Sequence, residues 1–359
     1  MLNFSCSFAR LRLPRAFGRE LSPATFALSV RDTMSEIPNR QPLVSAIIPT
    51  YNRAGVIANA VESALQQTYK NVEIIVIDDG STDSTEARLA RFRDQIRFVQ
   101  QKNQGPAAAR NRGIEAARGE IVAFLDSDDL WNPRKLEKQV AVLERAGNSV
   151  PCCLCNASLR SNDGMETESF AVAEIYPSFE EGLWLNPAEI LATRFVFFNQ
   201  AVAVRKWALD QVGGFDESLW LLEDWDLAVR LSFLGTWSFI REPLAIWNPN
   251  GSESLVMKAQ KNPVSLKESA VQVHKRALQE MPAALGARLA KLHAQKLKST
   301  ERELAALRLS QDSRPGAATT SKALQAVEHY RRALLKRTPL FPKMKVAAIP
   351  HRWVAAQAC

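Results

Sequence analysis

From residue 43 to residue 126 the chain alternates short apolar runs with segments of helical period, and this alternation constrains the fold more than any other feature. The apolar runs have the length of strands: VSAIIP at 44–49, VEIIVID at 72–78, IRFVQ at 96–100 and EIVAFLD at 120–126. Between them, apolar residues recur at helical spacing at 53–67, 84–92 and 105–117. Strands joined through helices form right-handed crossovers. The pattern therefore predicts an α/β fold with a Rossmann-like, mostly parallel central sheet flanked by helices.

The pattern is looser after residue 150. Segment 154–170 predicts a strand, a polar turn and a short second strand, 199–206 predicts a strand, and 213–235 predicts a turn and then an amphipathic helix. The segment WSFIREPLAIW at 237–247 predicts one or two further strands. Beyond residue 255, Ala, Leu, Lys and Arg recur at helical spacing, which predicts a mainly helical extension.

These patterns divide the chain into three parts. Residues 1–40 form an N-terminal extension that we expect to be disordered or non-native, 41–254 form the α/β domain, and 255–359 form a basic, mainly helical C-terminal extension. The first part is Arg-containing and poor in acids, as organellar transit peptides are. We favour the interpretation that translation starts at Met34, at the beginning of MSEIPNRQPLVSAIIPTYN.

The net charge of +8 is unevenly distributed. Residues 255–359 contain 20 Lys and Arg against six Asp and Glu, so the body of the protein is acidic and its tail is basic. A basic tail favours an anionic neighbour, and its mixture of apolar and cationic residues is typical of helices that lie on a membrane surface. We expect peripheral contact with anionic membrane and no nucleic acid partner. The alternative is a tail that is solvated or packs its Leu and Ala positions on the main domain.

Two features of the composition bear on location. No apolar run reaches the roughly 18 residues that a membrane-spanning helix needs. The five cysteines form no disulfide framework, and Cys152, Cys153 and Cys155 share one apolar stretch, PCCLCNAS. Cysteine is a common core residue in reducing compartments, so we interpret these three as strand packing. Together these features predict a cytoplasmic protein, with peripheral contact at the inner face of the cell membrane.

Three polar clusters follow predicted strands: PTYN at 49–52, DDGSTD at 78–83 and DSDD at 126–129. In parallel α/β sheets, ligands bind beyond the carboxyl ends of the strands. The sheet would therefore bring the three clusters to one edge, although they lie far apart in the sequence. That edge is the predicted binding site.

The DSDD cluster suits a divalent cation. Asp126 and Asp128 would provide hard oxygen ligands to Mg²⁺ or Mn²⁺, which normally share such a site with substrate phosphates and water. A cation would also remove the repulsion between the carboxylates. The alternative is that an Asp caps the following helix, and we expect Asp129 to cap a helix that begins near Pro133.

The other clusters have the chemistry of a nucleotide site. Asp78 and Asp79 are adjacent acceptors for base or ribose groups, and Tyr51 would stack on a base or simply pack in its loop. Arg110 and Arg112 lie on the helix predicted at 105–117, where an arginine suits a fixed phosphate contact. A solvated helix face is the alternative for both, and we expect it for Arg112.

A further acidic group, Glu223, Asp224 and Asp226, occurs in LLEDWDLAVRL at 221–231. Acids in the first turn of a helix are favoured by the helix dipole alone. The functional alternative is a general base, because a carboxylate that accepts the proton helps a hydroxyl to attack an electrophilic carbon.

Four segments resemble, in order and spacing, the family 2 glycosyltransferases. They are VSAIIPTYNR, VEIIVIDDGSTDST, NQGPAAARNRGIEAARGEIVAFLDSDDLW and VGGFDESLWLLEDWDLAVRL, and the resemblance covers about residues 43–248. It implies a GT-A fold for residues 41–254 and inverting transfer from a UDP-, GDP- or dTDP-linked sugar. The implied acceptor is a saccharide or lipid-linked hydroxyl in cell-surface polysaccharide or glycan synthesis.

The resemblance also implies roles for single residues. Pro49, Tyr51 and Asp79, with Asp78, would hold the nucleobase and ribose, and Arg110 would stand near the nucleotide. Asp126 and Asp128 match the DxD element that holds Mg²⁺ or Mn²⁺ against the donor diphosphate, with Asp128 as the direct ligand. Asp224, the second acid of the ED pair, matches the catalytic base.

One departure from the family keeps two alternatives open. Members often carry an Arg or His shortly after the ED helix, whereas IWNPNGSES at 246–254 contains neither. A degenerate member that binds a nucleotide sugar or a partner without turnover is the first alternative. The second is a nucleotidyltransferase, but such enzymes usually have a Gly-rich phosphate loop after the first strand, and PTYNRAG has a single glycine.

Overall fold

The computed structural model describes residues 41–160, 164–196, 198–248, 262–312 and 343–349. From Pro42 onward these residues belong to one compact unit. The predicted extension at 1–40 and residues 249–254 of the segment IWNPNGSES lie outside the described residues.

The described residues contain eleven strands in a single sheet. The strands are β1 (Val44–Thr50), β2 (Val72–Asp78), β3 (Arg97–Gln100), β4 (Ile121–Phe124), β5 (Leu130–Trp131), β6 (Cys152–Arg160), β7 (Glu166–Glu168), β8 (Glu181–Trp184), β9 (Val202–Arg205), β10 (Trp237–Trp247) and β11 (Val346–Ala347). The α-helices are α1 (Ile57–Leu65), α2 (Thr85–Leu89), α3 (Pro106–Ala116), α4 (Lys135–Ala146), α5 (Ser169–Val172), α6 (Pro187–Leu191), α7 (Lys206–Val212), α8 (Glu223–Ser232), α9 (Pro263–Glu280) and α10 (Gly286–Asp312).

The strand order is β11-β8-β10-β6-β9-β4-β1-β2-β3, with β5 beside β10 and β7 beside β6. Strand β1 is parallel to β2 and β4, β2 is parallel to β3, and β6 is parallel to β10. Strand β9 is antiparallel to both β4 and β6. Strands β6 and β10 therefore run in the same direction as β1 to β4. The predicted mostly parallel α/β sheet is confirmed, with β9 inserted antiparallel at its centre.

Strands β1 and β4 are buried along their whole length because helices cover both faces of the sheet. All seven residues of β1 are buried. Helix α3 packs so closely on β1 that a Cβ atom added at Gly113 would lie 2.3 Å from Cγ2 of Ile47. Glycine at this position thus lets α3 approach the sheet, and α3 carries Arg110 to the carboxyl edge.

The predicted strand, turn and strand at 154–170 correspond to β6 and β7, which pair antiparallel. Cys152, Cys153 and Cys155 are fully buried in β6, as the strand-packing interpretation predicts. Burial raises the pKa of the Cys155 thiol to about 11. Because the thiolate is the reactive form, these cysteines are core residues rather than nucleophiles.

Helices α9 and α10 form a hairpin that packs on helix α8. The rings of His274 and Trp225 meet edge to face, with centroids 5.2 Å apart, and Nη1 of Arg276 lies 2.7 Å from Oδ2 of Asp216. Leu289 and Leu304 of α10 are buried as well. These buried positions of the C-terminal extension are therefore used for packing, which was the alternative to membrane contact.

Within the ranges that the structure describes, no helix combines the length and the apolar character needed to cross a membrane.

Candidate active site

The loops after β1 and β2 are joined by direct hydrogen bonds. The backbone N–H of Asp79 donates to the carbonyl of Thr50 (2.9 Å). The amide oxygen of Asn52, a residue with φ of +52°, accepts from Thr82 N (2.8 Å), and Asn52 N donates to Ser81 Oγ (2.9 Å). The PTYN and DDGSTD clusters therefore form one continuous rim at the carboxyl edge of the sheet.

The carboxylates of Asp78 and Asp79 are buried, at 0% and 3% exposure. Between them they accept five hydrogen bonds from protein N–H groups at 2.8–3.1 Å. The donors are Ser81 N and Gln100 Nε2 to Asp78, and Gln101 Nε2, Gln104 N and Gly105 N to Asp79. Asp79 thus orders the loop that leads into helix α3.

The remaining residues predicted for the nucleoside differ in exposure. Pro49 is buried within β1. Tyr51 lies just beyond the strand, and its side chain is 45% exposed. Tyr51 therefore presents an aromatic surface at the rim, which is what stacking on a base requires.

The DSDD loop is only partly compensated by protein donors. Asp126 Oδ1 accepts from Arg110 Nη2 (2.8 Å) and its Oδ2 from Gln200 Nε2 (3.1 Å). Asp128 lies 3.7 Å from Nε of Arg53. The two aspartate side chains keep 27% and 18% of their surface exposed. Burial and the charge of Asp126 raise the pKa of Asp128, and Arg53 opposes that rise.

The prediction that Asp129 caps the following helix is wrong. Helix α4 begins at Lys135, and Asn132 Oδ1 accepts from Arg134 N (3.0 Å). Asp129 instead accepts from the backbone N–H of Asn248 (2.9 Å) and from the Gln200 amide. Strand β10, which pairs with β5, brings Asn248 to the DSDD loop. Burial and the neighbouring carboxylates raise the pKa of Asp129 well above its ordinary value.

Arg110 connects the DSDD loop to helix α8, which begins with the pair Glu223 and Asp224. It is 3% exposed, and its guanidinium donates from Nη2 to Asp126 and from Nη1 to Glu223 Oε1 (2.8 Å each). The guanidinium also lies over the Phe215 ring, 5.4 Å from its centroid. These carboxylates raise the pKa of Arg110 above its ordinary value, so the group stays charged. By contrast Arg112 pairs with Glu115 on an exposed face, as predicted.

Asp224 lies in the first turn of α8 and is half-buried. Its neighbour Glu223 is buried against Arg110, whereas Asp224 Oδ1 accepts from the backbone N–H of Trp225 (2.7 Å). Burial and the charge of Glu223 raise the pKa of Asp224 to about 7, against the opposing effect of Arg110. A carboxyl with that pKa is suited to accept a proton near neutral pH.

The residue before the ED pair is strained. Leu222 has φ of +64°, the left-handed region that non-glycine residues rarely adopt. Such strain persists only where surrounding contacts enforce it, and it is common at functional sites. Here it sets the direction in which the chain enters α8 and presents Asp224.

The structure brings in residues that sequence reasoning missed. Gln200 bridges Asp126 and Asp129, and Asn248 supports the same loop. His274 and His293, which are 19 positions apart, are buried with their Nδ1 atoms 3.1 Å from each other. Gln200, His274 and His293 belong to no motif, and Asn248 lies in a segment that was singled out only for lacking Arg and His.

The acidic edge is chemically suited to a divalent cation bound together with a ligand. Among the described residues no group of three or more His, Cys, Asp or Glu side chains could hold a metal ion. Mg²⁺, however, is usually bound by one or two carboxylates plus substrate phosphates rather than by a complete protein cage. The partly exposed pair Asp126 and Asp128 fits that mode of binding.

The sequence of residues 45–207 matches the model of the family "Glycosyl transferase family 2". An uncharacterized glycosyltransferase of Rickettsia typhi is 34% identical over 189 residues, which cover 52% of this chain and 57% of that protein. The succinoglycan biosynthesis protein ExoO of Rhizobium meliloti is 33% identical over 194 residues, covering 53% and 55% of the two chains. The chain therefore spans little more than half the length of these relatives.

Two solved structures have the same fold. TarS residues 1–349 of S. aureus in complex with UDP-GlcNAc superpose with a TM-score of 0.58 at 21% identity, over 72% of this chain and 71% of that chain. The mannosyltransferase PcManGT of Pyrobaculum calidifontis, in complex with GDP-Man and Mn²⁺, superposes with a TM-score of 0.53 at 20% identity, over 88% of each chain.

The sheet order, the flanking helices and these neighbours define a GT-A glycosyltransferase fold. Residues 45–207, a little under half of the chain, therefore match glycosyltransferase family 2, and the two relatives named above are a glycosyltransferase and a polysaccharide biosynthesis protein.

Proposed function

We propose that the chain is an inverting, metal-dependent hexosyltransferase. It would move one sugar from a UDP-, GDP- or dTDP-linked donor to a hydroxyl of a saccharide or lipid-linked acceptor in cell-surface polysaccharide or glycan synthesis. The observation that carries the proposal is the geometry around Arg110. This residue links the partly exposed Asp126 to Glu223, next to Asp224, whose pKa is raised to about 7.

In this mechanism the oxygen of the acceptor hydroxyl attacks the anomeric carbon of the donor sugar. Asp224 accepts the proton of that hydroxyl as the new bond forms. The bond between that carbon and the diphosphate oxygen breaks on the opposite side, which inverts the configuration. Asp126 and Asp128, the latter as direct ligand, would hold Mg²⁺ or Mn²⁺, and the bound ion supplies stabilisation of the leaving diphosphate. Arg110 holds Asp126 and Glu223 in place while this happens.

Pro49, Tyr51, Asp78 and Asp79 would form the nucleoside side of the site. Because the carboxylates of Asp78 and Asp79 are buried and accept five protein hydrogen bonds, we propose that they mainly shape the loops that line the nucleoside. Tyr51 is the exposed group that would contact the base. The ligands of TarS and PcManGT, UDP-GlcNAc and GDP-Man with Mn²⁺, support a nucleotide-sugar donor.

The test is a thermal-shift panel of UDP-, GDP- and dTDP-sugars, each with Mn²⁺, with Mg²⁺ and with EDTA, because ligand binding raises apparent stability. We expect one donor to stabilise the full-length protein only when the ion is present, and that donor to support transfer to saccharide acceptors. If no donor stabilises the protein, the proposal is wrong. Stabilisation without transfer to any acceptor would favour the degenerate, binding-only alternative.

We propose that the protein works in the cytoplasm, at the inner face of the cell membrane. Since Leu289 and Leu304 of α10 are buried, contact with anionic lipid would involve exposed cations on that helix, such as Lys291, Lys298 and Arg302. Replacing these three with Glu should reduce flotation with anionic vesicles and leave donor binding unchanged. Equal flotation of both proteins would contradict the membrane contact.

A further inference from the structure

Trp220 is a large aromatic residue that the proposed mechanism does not use. Its side chain is 66% exposed, whereas the preceding Leu219 is 3% exposed. It lies between α7 and α8, four positions before Asp224. An exposed Trp lacks the hydrophobic stabilisation that burial would give. Its exposure at the rim of a ligand site therefore indicates contact with a bound ligand.

The loop that carries Trp220 is held at several points. The side-chain amide of Asn111 donates to the carbonyl of Phe215 (3.0 Å), and its oxygen accepts from Phe215 N (2.8 Å). Asp216 accepts from Ser218 N (3.0 Å) and pairs with Arg276 of α9 (2.7 Å). The indole is therefore presented by an anchored loop.

The Trp220 ring lies over Gly105, where an added Cβ atom would be 3.8 Å from Cζ3. Gly105 N donates to Oδ2 of Asp79 (2.8 Å), and Asp79 N donates to the carbonyl of Thr50, the neighbour of Tyr51. Two exposed aromatic rings thus lie one hydrogen-bonded step away from Asp79, one through each loop. The loop that carries Tyr51 and the loop that Trp220 packs on are therefore both held by Asp79.

We infer that Trp220 forms a second wall of the nucleoside site and stacks on the flat base of the donor nucleoside diphosphate. This inference rests on the proposed function, because it assigns a further residue to the donor site. Every nucleobase offers an aromatic face, so stacking contributes affinity without selecting one base. Trp220 would therefore strengthen donor binding, and the choice of base would come from other contacts.

The inference is tested with nucleoside diphosphates alone, UDP and GDP, titrated with Mn²⁺ into the full-length protein. The variants are Trp220→Ala and Trp220→Phe, with Trp207→Ala as the matched control. Trp207 is also exposed (39%). It follows Arg205, which pairs with Ile121 at the start of β4, so it lies at the opposite edge of the sheet.

From the range known for stacking on single bases, we expect Trp220→Ala to weaken nucleotide binding about 10-fold or more. Trp220→Phe keeps an aromatic face and should stay within about threefold of the original protein. Trp207→Ala should bind as the original protein does. In the unmodified protein, nucleotide should also shield one Trp from iodide quenching, and that shielded fraction should disappear in Trp220→Ala.

The inference is overturned if the unmodified protein binds UDP or GDP and Trp220→Ala binds it equally well. It is also overturned if the substitution raises only the KM for the acceptor, which would make Trp220 an acceptor contact. If neither nucleotide nor any nucleotide sugar binds the unmodified protein, the proposed function itself fails, and the inference fails with it. Trp220→Phe, which keeps a large aromatic ring, should lose the same shielded fraction, so the test survives misfolding of Trp220→Ala.

Discussion

The loops after β2 and β4 each place two aspartates at the same edge of the sheet. The two loops differ in how far protein groups compensate the negative charges. Asp78 and Asp79 are buried and accept five N–H hydrogen bonds. Asp126 and Asp128 are partly exposed. Arg53 compensates the charge of Asp128 through a salt bridge of 3.7 Å. The pKa of Asp128 is raised, because burial and a like charge outweigh that compensation.

The adjacent acids of the ED helix repeat the same contrast. Glu223 is buried in an ion pair with Arg110, whereas the half-buried Asp224 has its pKa raised to about 7. Fully paired carboxylates build the site, and under-compensated carboxylates remain available to a cation or a proton. The difference in pairing therefore separates structural acids from acids with a chemical role, which neither residue type nor spacing does.

The largest expected effect concerns the proposed base. We expect Asp224→Asn to reduce kcat for sugar transfer by about 10³-fold or more, since an amide cannot accept the proton in the transition state. Donor affinity should stay within about threefold of the original value, because the nucleoside and metal residues are unchanged. The measurement is steady-state transfer together with a donor titration. Retention of most of the activity would show that another group is the base.

The second effect tests whether the buried, fully paired aspartates stabilise the fold. Asp79→Ala leaves Gln104 N and Gly105 N without their acceptor, and we expect a loss of about 2–4 kcal/mol in the free energy of unfolding. Urea unfolding measures this loss. Glu115→Ala removes an exposed helix pair with Arg112 and should cost less than about 0.5 kcal/mol. Equal stability of the two variants would mean that the Asp79 hydrogen bonds contribute little.

The third effect tests whether the partly exposed aspartates bind the metal ion. Asp128→Asn should weaken Mn²⁺-dependent binding of UDP or GDP by at least about 10- to 100-fold, the loss known for groups that only support a metal ligand. Binding measured in EDTA should be the same for the variant and the unmodified protein. Asp210→Asn changes an exposed acid on α7 that pairs with Lys206, and it should leave binding unchanged. If Asp128→Asn retained full metal-dependent affinity, Asp128 would not be the ligand.

The smallest effect is the pH dependence of transfer. Because Asp224 acts in its deprotonated form, kcat/KM should fall as pH drops below the pKa of about 7. The slope should approach tenfold per pH unit, the limit for one titrating group, or about 1.4 kcal/mol. A pH profile with Mn²⁺ held at saturation measures it, and a flat profile between pH 5 and pH 8, roughly the window in which such a group titrates, would contradict the assignment.

The sequence predicted the sheet, the clusters at its carboxyl edge and the family, because each depends on local period or on motif order. It did not predict the partner of Asp129, since Asn248 is 119 positions away and reaches the loop only through the pairing of β10 with β5. It did not predict Gln200 either, because this residue is more than 70 positions away and reaches the loop only through the pairing of β9 with β4. The composition of the C-terminal helices suited a membrane surface, but α9 packs on α8 through His274 and Trp225, a contact that composition does not reveal.

The most direct test of the contrast is the sign of the stability change on replacing each aspartate with Asn, which keeps the shape and removes the charge. In metal-free protein near pH 8 we expect Asp78→Asn and Asp79→Asn to lower the free energy of unfolding. Asp128→Asn and Asp224→Asn should raise it. For Asp224, a folded pKa above the unfolded one means that stability is lost as pH rises from about 4 to about 7, so removing the charge should recover on the order of 1–3 kcal/mol. Changes of the same sign in all four variants would contradict the division into structural and available carboxylates.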